Sequence, residues 1–274
     1  MRFSFVVSAG LGYRIPDLFE TGTSFTEFQR ALKLLRQQGF SGVEINLGTT
    51  EPKTLSKILE SIRREGLPLA AIGTGMLYLK RGYSFTARNP TKRRRAIAAV
   101  KDLIQFASKE HAILILGLIR GGTSVVSKAA NPLCQALVEC DGTASEYEVQ
   151  LALEAINRYE TSQLNTATDA AQVIHDEKLR STGLLLDTFH MNIEEPSIEE
   201  TIRKRHEMIS HFHIADSNRW SPGRGHLHLE HVLGSLDELG YRGWASAEVL
   251  PNPDNASVVI ETAAFLRDNN FLLR

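Results

Sequence analysis

Four residues with metal-ligating side chains stand at the ends of four consecutive β-rich runs in the second half of the chain. They are Glu154, Asp187, His213 and Glu248. Three carboxylates and one imidazole suit a hard or borderline divalent ion such as Mn²⁺, Mg²⁺ or Co²⁺ better than a structural zinc site rich in thiolates. These residue types therefore predict one bound divalent metal ion, with Mn²⁺ preferred and Co²⁺ or Mg²⁺ as alternatives.

Strand alternation separates the polar from the apolar side chains of these runs. Successive side chains of a strand point to opposite faces, so His211 and His213 share one face while Phe212 and Ile214 share the other. We expect the polar set to face the axis of a barrel and the apolar set to face surrounding helices. His211, one layer deeper than His213, is interpreted as an inward packing residue with a hydrogen-bond partner.

The β-rich runs alternate with helical segments along the chain, which is typical of a parallel sheet. Eight runs are predicted as strands: 3–9, 42–46, 69–73, 112–117, 149–154, 183–187, 209–215 and 244–249. Division of the 274 residues by eight gives about 34 residues per unit, the size of a strand, a helix and two loops. The predicted fold class is therefore α/β, a single (β/α)8 TIM barrel with residues 1–274 as one domain, whose strand ends converge on one mouth.

The intervening segments are predicted as helices from apolar spacing and capping signals. They cover residues 24–38, 54–64, 89–108, 166–176, 197–205, 229–239 and 254–269. Residues 121–148 fit least well, because Pro132 and Gly142 interrupt the pattern. One further helix with long irregular ends is expected there.

Composition narrows the choice of partner. The chain has 31 basic and 32 acidic residues, which gives no basic footprint for nucleic acid and no polybasic membrane signal. Its N-terminal apolar run is broken by Ser4 and Ser8, unlike a signal peptide. Cys134 and Cys140 fit neither a disulfide framework nor a metal knuckle. We expect a cytoplasmic protein with a small-molecule ligand and with no nucleic-acid or membrane partner.

Further polar side chains follow the same strand ends. Glu160, His190 and Arg219 are predicted to lie just above the metal, where they can bind a polyhydroxylated ligand. The loops after the seventh and eighth strands contain no Gly-rich phosphate cradle, which favours an unphosphorylated ligand. Arg120, beyond the fourth strand, is either a partner for a substrate carboxylate or a surface or salt-bridged arginine.

At these residues the chain resembles the xylose isomerase-like TIM barrels of the sugar phosphate isomerase/epimerase superfamily. Within them it is most similar to the ketose 3-epimerase branch, which includes D-tagatose and D-allulose (D-psicose) 3-epimerases, and to the 5-keto-L-gluconate epimerase type. The blocks that carry the resemblance are 39–44, 71–75, 118–121, 157–160, 186–195, 211–225 and 240–251. The last four of these blocks are the most specific.

The resemblance implies roles for seven residues and an assembly. By matching position, the metal ligands fall on the four strand-end residues that the alternation argument reaches separately, and the substrate contacts fall on Glu160, His190 and Arg219. Relatives of this type are commonly homodimers or homotetramers. The chain departs from the family at His228, where relatives often have Asp, so the polar contacts of that loop are open.

The implied reaction is epimerisation next to a ketone, such as C3 epimerisation of a ketohexose or of 5-keto-L-gluconate or D-tagaturonate. One of Glu154 and Glu248 would remove a proton and the other would return one to the opposite face. The metal ion would hold the substrate oxygens and stabilise the developing enediolate. His190 and Arg219 would hydrogen-bond the oxygen that becomes anionic, and Glu160 would orient a terminal hydroxyl.

Other functions fit the same scaffold. Hydroxypyruvate isomerisation or inosose dehydration would use the same metal site, and a sugar-binding barrel without catalysis would leave both candidate bases unused. An abasic-site endonuclease with a zinc cluster would need additional histidines at the ends of the third and fourth strands. Those ends read Ala71-Ile72-Gly73-Thr74-Gly75 and Leu116-Gly117-Leu118-Ile119.

Overall fold

Eight parallel strands close into a barrel in a computed structural model, which describes residues 1–8, 25–122 and 131–272. Each strand pairs with the next in chain order, and the eighth pairs with the first. The strands are β1 (Arg2–Ser8), β2 (Gly42–Asn46), β3 (Leu69–Gly73), β4 (Ile113–Leu116), β5 (Leu151–Glu154), β6 (Thr182–Asp187), β7 (Ile209–Ile214) and β8 (Trp244–Ala247). The predicted TIM-barrel fold class is confirmed, and the assignment of all 274 residues to one domain stays a prediction.

The barrel has an inner and an outer apolar layer. A separate buried cluster takes one residue from each of the strands β3 to β6: Ala71, Ile115, Ala152 and Leu185. Phe212 and other oppositely directed residues belong to the larger core that includes the helices. This division follows from the period of two along each strand, and it leaves the inward positions near the strand ends for polar side chains.

Ten helices surround the described part of the barrel. They are α1 (Phe25–Gln37), α2 (Pro52–Arg64), α3 (Gly75–Arg81), α4 (Pro90–Ala107), α5 (Pro132–Glu146), α6 (Ala167–Asp176), α7 (Thr188–Glu194), α8 (Ile198–Arg205), α9 (Leu229–Glu238) and α10 (Asn255–Asp268). The predicted helices are present with ends that differ by one or two residues. Ala9, the last residue of the first predicted strand, and Ser24, the first residue of the first predicted helix, lie outside the described residues.

The helix predicted within residues 121–148 is present, but Pro132 was wrongly taken as an interruption of it, and residues 123–130 of that range lie outside the described residues. This proline is the first residue of α5, and the side chain of Asn131 accepts a hydrogen bond from the Leu133 backbone N–H at 3.0 Å. Proline suits that position because the first helical N–H groups have no partner within the helix. Pro132 therefore starts the helix, and Gly142 lies within it.

Two short helices, α3 and α7, escaped the prediction because each begins directly after a strand. The side chain of Asp187, the last residue of β6, caps α7 by accepting a hydrogen bond from the Phe189 N–H at 2.7 Å. One carboxylate thus ends a strand and starts the helix that carries His190. In the part of the chain that the structure describes, no helix has the length and apolar character needed to cross a bilayer.

Candidate metal centre

The four strand-end residues converge at the mouth of the barrel. Glu154 and Asp187 end β5 and β6, His213 lies near the end of β7, and Glu248 follows β8 by one residue. Each residue offers one ligand atom, and these four atoms all lie within 4.8 Å of one another. Asp187 and His213 are direct partners in the β6–β7 register. The side chains that the sequence predicts as metal ligands therefore share one small volume.

Two buried atoms in this volume have no hydrogen-bond partner among the described residues, Asp187 Oδ2 and His213 Nδ1. They lie 3.7 Å apart, and Glu248 Oε2 is 3.3 Å from the same Nδ1. Buried polar atoms are rarely left without a partner, because the lost hydration is not replaced. A cation held between these atoms would satisfy both, so the residues present fit a divalent metal ion.

The charges around the site favour the ionised forms of Glu248 and Asp187. Burial opposes ionisation of Glu248, but the Arg219 guanidinium and the His213 imidazole beside it hold the pKa of Glu248 well below its ordinary value. The cationic side chains around Asp187 likewise outweigh burial and lower the pKa of that carboxyl. Burial disfavours charge on His213, yet Glu44 and Glu248 raise its pKa well above the ordinary value. The site favours positive charge at His213 Nδ1, where a metal ion would displace the proton.

Arg219 links the candidate metal ligands to Glu160. Its Nη2 donates to Glu248 Oε2 at 2.6 Å, and its Nη1 donates to Glu160 Oε1 at 3.3 Å. The guanidinium lies over the Phe189 ring, 5.0 Å from the centroid. The ring and the two carboxylates hold Arg219 in one orientation at the edge of the site.

His190 is oriented by Asn157, a residue that the sequence argument did not select. Asn157 Nδ2 lies 2.7 Å from His190 Nδ1 and 3.1 Å from Glu160 Oε1. Because an amide nitrogen only donates, His190 Nδ1 accepts and the ring proton is on Nε2. That Nε2 lies 3.5 Å from Glu154 Oε1. Asp187 and Glu154 raise the pKa of His190 against the effect of burial.

A buried aspartate, Asp216, holds the loop that carries Arg219. Its Oδ1 accepts from the Ser217 and Leu227 N–H groups at 2.7 and 3.1 Å, and its Oδ2 accepts from Gly223 at 2.9 Å. Arg219 itself has a φ of 61°, and its carbonyl accepts from the Leu250 N–H at 2.7 Å. These bonds hold Arg219 in a backbone conformation that residues other than glycine rarely adopt.

Glu44 of β2 lies below the candidate metal ligands and was also missed by the sequence analysis. It is 1% exposed, and both imidazoles of β7 contact it. Its nearest contacts are His211 Nε2 at 2.7 Å and His213 Nε2 at 3.1 Å. The expectation that His211 is an inward residue with a hydrogen-bond partner is confirmed. A lone carboxylate between the apolar residues Val43 and Ile45 was the available signal for Glu44.

A cavity of about 250 Å³ opens at this mouth and includes Glu154, His190 and Glu248 in its lining. Glycines keep part of it open. A Cβ atom at Gly117, just after β4, would collide with Glu154 Oε2. The glycine therefore leaves room for the carboxylate beside the cavity.

The structure places two neighbouring residues whose roles the sequence leaves open. Arg120 is not a surface residue, because it is 0% exposed, and it is not among the residues that line the cavity. It donates to the backbone carbonyls of Gln163 and Leu164 at 2.5 and 3.4 Å, and burial lowers its pKa to about 10. His228 is exposed, lies 3.4 Å from Glu230, and is not among the cavity-lining residues.

Sequence comparison identifies related proteins. The family model described as "Xylose isomerase-like TIM barrel" matches residues 32–269. A D-psicose 3-epimerase from Enterocloster bolteae is 28% identical over 264 residues, which cover 90% of this chain and 85% of that protein. Other relatives in sequence are also named as sugar epimerases. The comparisons support an enzyme of the carbohydrate epimerase or isomerase type.

Solved structures share the fold. A structure of L-ribulose 3-epimerase superposes with a TM-score of 0.80 at 23% identity, over 98% of this chain and 94% of that one. An AP endonuclease of family 2 from Brucella melitensis superposes with a TM-score of 0.77 at 18% identity, over 97% and 98%. Since the two scores are nearly equal, fold likeness does not choose between sugar and DNA chemistry, and the site must do so.

Proposed function

Because the chain belongs to the xylose isomerase-like TIM barrel family, we propose that it is a divalent-metal-dependent ketose 3-epimerase. The observation that carries this proposal is the pair Glu154 and Glu248, two carboxylates from non-adjacent strands that both border one cavity and one group of candidate ligands. Epimerisation next to a ketone removes a proton from one face of a carbon and returns one to the other. Two carboxylates beside one bound substrate meet that requirement.

The proton transfers are assigned to these two residues. One glutamate takes the C3 proton as a base, which leaves an enediolate, and the other, in its protonated form, donates to the opposite face. The initial state of each residue depends on the direction of reaction, and the roles exchange in reverse. Arg219 donates to Glu248 at 2.6 Å and favours its ionised form, which is the form that acts as a base. We assign Glu248 as the base for the epimer whose C3 proton faces Glu248.

Glu154, Asp187, His213 and Glu248 would hold the metal ion. When bound, the divalent ion supplies Lewis-acid stabilisation of charge on the substrate oxygens. We propose Mn²⁺, with Co²⁺ or Mg²⁺ able to replace it, because three carboxylates and one imidazole suit these ions. Support comes from the two partnerless atoms, Asp187 Oδ2 and His213 Nδ1, which face each other in the ligand set.

Three further residues would bind the sugar. His190 carries its ring proton on Nε2, on the side of Glu154, and can donate it to a substrate oxygen beside C3. Arg219 can donate to the same developing charge, since its guanidinium already lies between the two carboxylates that it contacts. Glu160, with its exposed fraction of 29%, can accept a hydrogen bond from a hydroxyl farther along the chain of the sugar.

We further propose a neutral ketose, in preference to a keto sugar acid such as 5-keto-L-gluconate or D-tagaturonate. Among the described residues that line the cavity, Arg219 is the one arginine or lysine, and Glu160 and Glu248 already pair with it. Arg120 is directed to backbone carbonyls. The values of kcat/KM for D-tagatose and D-tagaturonate test this, and a higher value for the acid contradicts it.

The test of the reaction is isotope incorporation. Protein loaded with Mn²⁺ is incubated with D-psicose or D-fructose in D2O, and the product is analysed by NMR. We expect the C3 epimer with deuterium at C3. His190→Asn should lower turnover, while His228→Asn, in an exposed residue outside the cavity, should not. Loss of water, appearance of an aldose, or cleavage of an abasic duplex without epimerisation would refute the proposal in favour of one of the alternatives.

Location and assembly are part of the same proposal. Both cysteines are free, and burial raises the pKa of Cys134 to about 11 and that of Cys140 to about 12. Such thiols are poor nucleophiles and are compatible with the reducing cytoplasm that we propose. A homodimer or homotetramer follows from the family resemblance, and light scattering of the purified protein tests it.

A further inference from the structure

We propose that Glu44 is a positioning residue for the candidate metal ligand His213, which it fixes in the one neutral ring form that can bind a metal ion through Nδ1. The inference rests on the proposed metal site and assigns a role to a residue outside the four candidate ligands that borders the same cavity. Its basis is the arrangement of one buried carboxylate between two imidazoles beneath the mouth of the barrel.

The contacts of Glu44 determine the ring form of His213. Oε1 and Oε2 of Glu44 lie 3.1 and 3.2 Å from His213 Nε2. A carboxylate only accepts hydrogen bonds, so Nε2 must donate its proton to Glu44. In the neutral imidazole the lone pair is then on Nδ1. This atom has no hydrogen-bond partner among the described residues and faces Asp187 and Glu248.

A second imidazole holds the carboxylate in place. His211 Nε2 lies 2.7 Å from Glu44 Oε2 and 3.1 Å from Ser246 Oγ, which in turn is 2.6 Å from Ser4 Oγ. The two histidine rings meet edge to face, with centroids 5.1 Å apart. This buried chain of contacts joins strands β1, β2, β7 and β8. The ring of His213 is thereby tied to the frame of the barrel and does not depend on a mobile loop.

The arrangement matches what metal sites require of their histidine ligands. A ligating imidazole usually donates its second N–H to a carboxylate, carbonyl or water, which sets its orientation and raises its basicity. Removal of such a partner typically weakens metal binding by about 10–100-fold. A carboxylate that only satisfied two buried histidines would affect folding and leave metal affinity unchanged.

The experiment compares two buried carboxylates. Glu44→Gln removes the charge beneath His213, and Asp141→Asn makes the matched change at a buried aspartate whose contacts are with residues 180–182. The dissociation constant for Mn²⁺ is measured from the EPR signal of the free ion, and the Tm is measured for each metal-free protein. We expect an Mn²⁺ dissociation constant about 10–100-fold higher for Glu44→Gln and unchanged for Asp141→Asn. Equal dissociation constants in the two variants would overturn the proposal.

A second measurement does not depend on a variant at residue 44. Wild-type protein labelled with ¹⁵N-histidine and loaded with Mg²⁺ gives NMR signals that distinguish the two ring forms, and His213→Asn identifies the signals of His213. A proton on Nε2 supports the proposal, and a proton on Nδ1 overturns it. If wild-type protein binds no Mn²⁺, the proposed metal site itself fails. Normal Mn²⁺ binding with an unchanged constant in Glu44→Gln refutes the role of Glu44 alone.

Discussion

The buried carboxylate of Asp141 and those at the mouth of the barrel differ in whether all of their oxygens have hydrogen-bond partners. Asp141 in α5 accepts from the Arg180 and Ser181 N–H groups at 3.0 Å and from Thr182 Oγ1 at 2.7 Å. At the mouth, by contrast, Asp187 has one oxygen without a hydrogen-bond partner, and it faces His213 Nδ1, which also has none. Full satisfaction is what stability requires, and two partnerless atoms that face each other among four candidate ligands indicate a place for a cation.

The largest expected effect is at the mouth. Glu154→Gln or Glu248→Gln removes one of two proposed bases and should lower kcat by about 10²–10⁴-fold, with the far-ultraviolet circular dichroism unchanged. Steady-state kinetics with D-psicose and Mn²⁺ measure this. Because Gln at either position also weakens the proposed metal site, the assays are run at saturating Mn²⁺. Activity near that of wild type in either variant would eliminate the two-base assignment.

Metal removal should change stability through the same site. A ligand present at 100 times its dissociation constant stabilises the folded protein by about 2.7 kcal/mol. We therefore expect Mn²⁺ to raise the Tm by several degrees, and EDTA to reverse the shift. Asp187→Asn should abolish the shift and Asp141→Asn should keep it. A metal-dependent Tm in Asp187→Asn equal to that of wild type would show that the ion binds elsewhere.

Asp141→Asn should produce the opposite pattern. The amide nitrogen of Asn cannot accept the hydrogen bonds that one aspartate oxygen now accepts, so about 1–3 kcal/mol of unfolding free energy should be lost. Urea unfolding followed by circular dichroism measures the change. The kcat/KM of the folded variant should equal that of wild type. A large loss of activity without a loss of stability would contradict the assignment of Asp141 to stability alone.

Asp216 should give the smallest effect, and it depends on pH. Burial disfavours its ionised form, but the backbone N–H groups of the loop, with Leu227 first among them, lower its pKa below the ordinary value. A lowered pKa in the folded state gives stability that is complete above the unfolded value of about 3.9 and is lost as the pH falls through the folded value.

Hydrogen exchange at the amides of Gly223 and Leu227 tests this between pH 5 and pH 2. Exchange, corrected for its intrinsic pH dependence, should accelerate only at the acid end of that range. In Asp216→Asn the same amides should exchange faster at every pH without that acid transition. A transition of equal size in the variant would assign the effect to another group.

The sequence predicted the convergence at the mouth because alternation can be counted along each strand, and a parallel barrel places all strand ends of one kind on the same side. Asp187 and His213 follow from counting along two strands. Glu44 could not be assigned in this way, since its partner His213 is 169 positions away and only closure of the barrel brings them together. The sequence placed Asn157 just after the fifth strand, but it did not show that this residue contacts His190. The sequence left the role of Arg120 open because spacing does not show whether a side chain turns inward to backbone carbonyls.

The two oxygens of Asp187 serve different elements. Oδ1 accepts from the Phe189 N–H at the start of α7, and Oδ2 is the atom without a partner beside His213. Helix caps accept Asp, Asn, Ser or Thr, but only Asp adds a negative charge. A saturation library at position 187 should therefore retain several capping residues, glycine among them, when scored for folding and only aspartate when scored for epimerase activity. The range of residues tolerated at this one position thus separates the requirement of the fold from that of the chemistry.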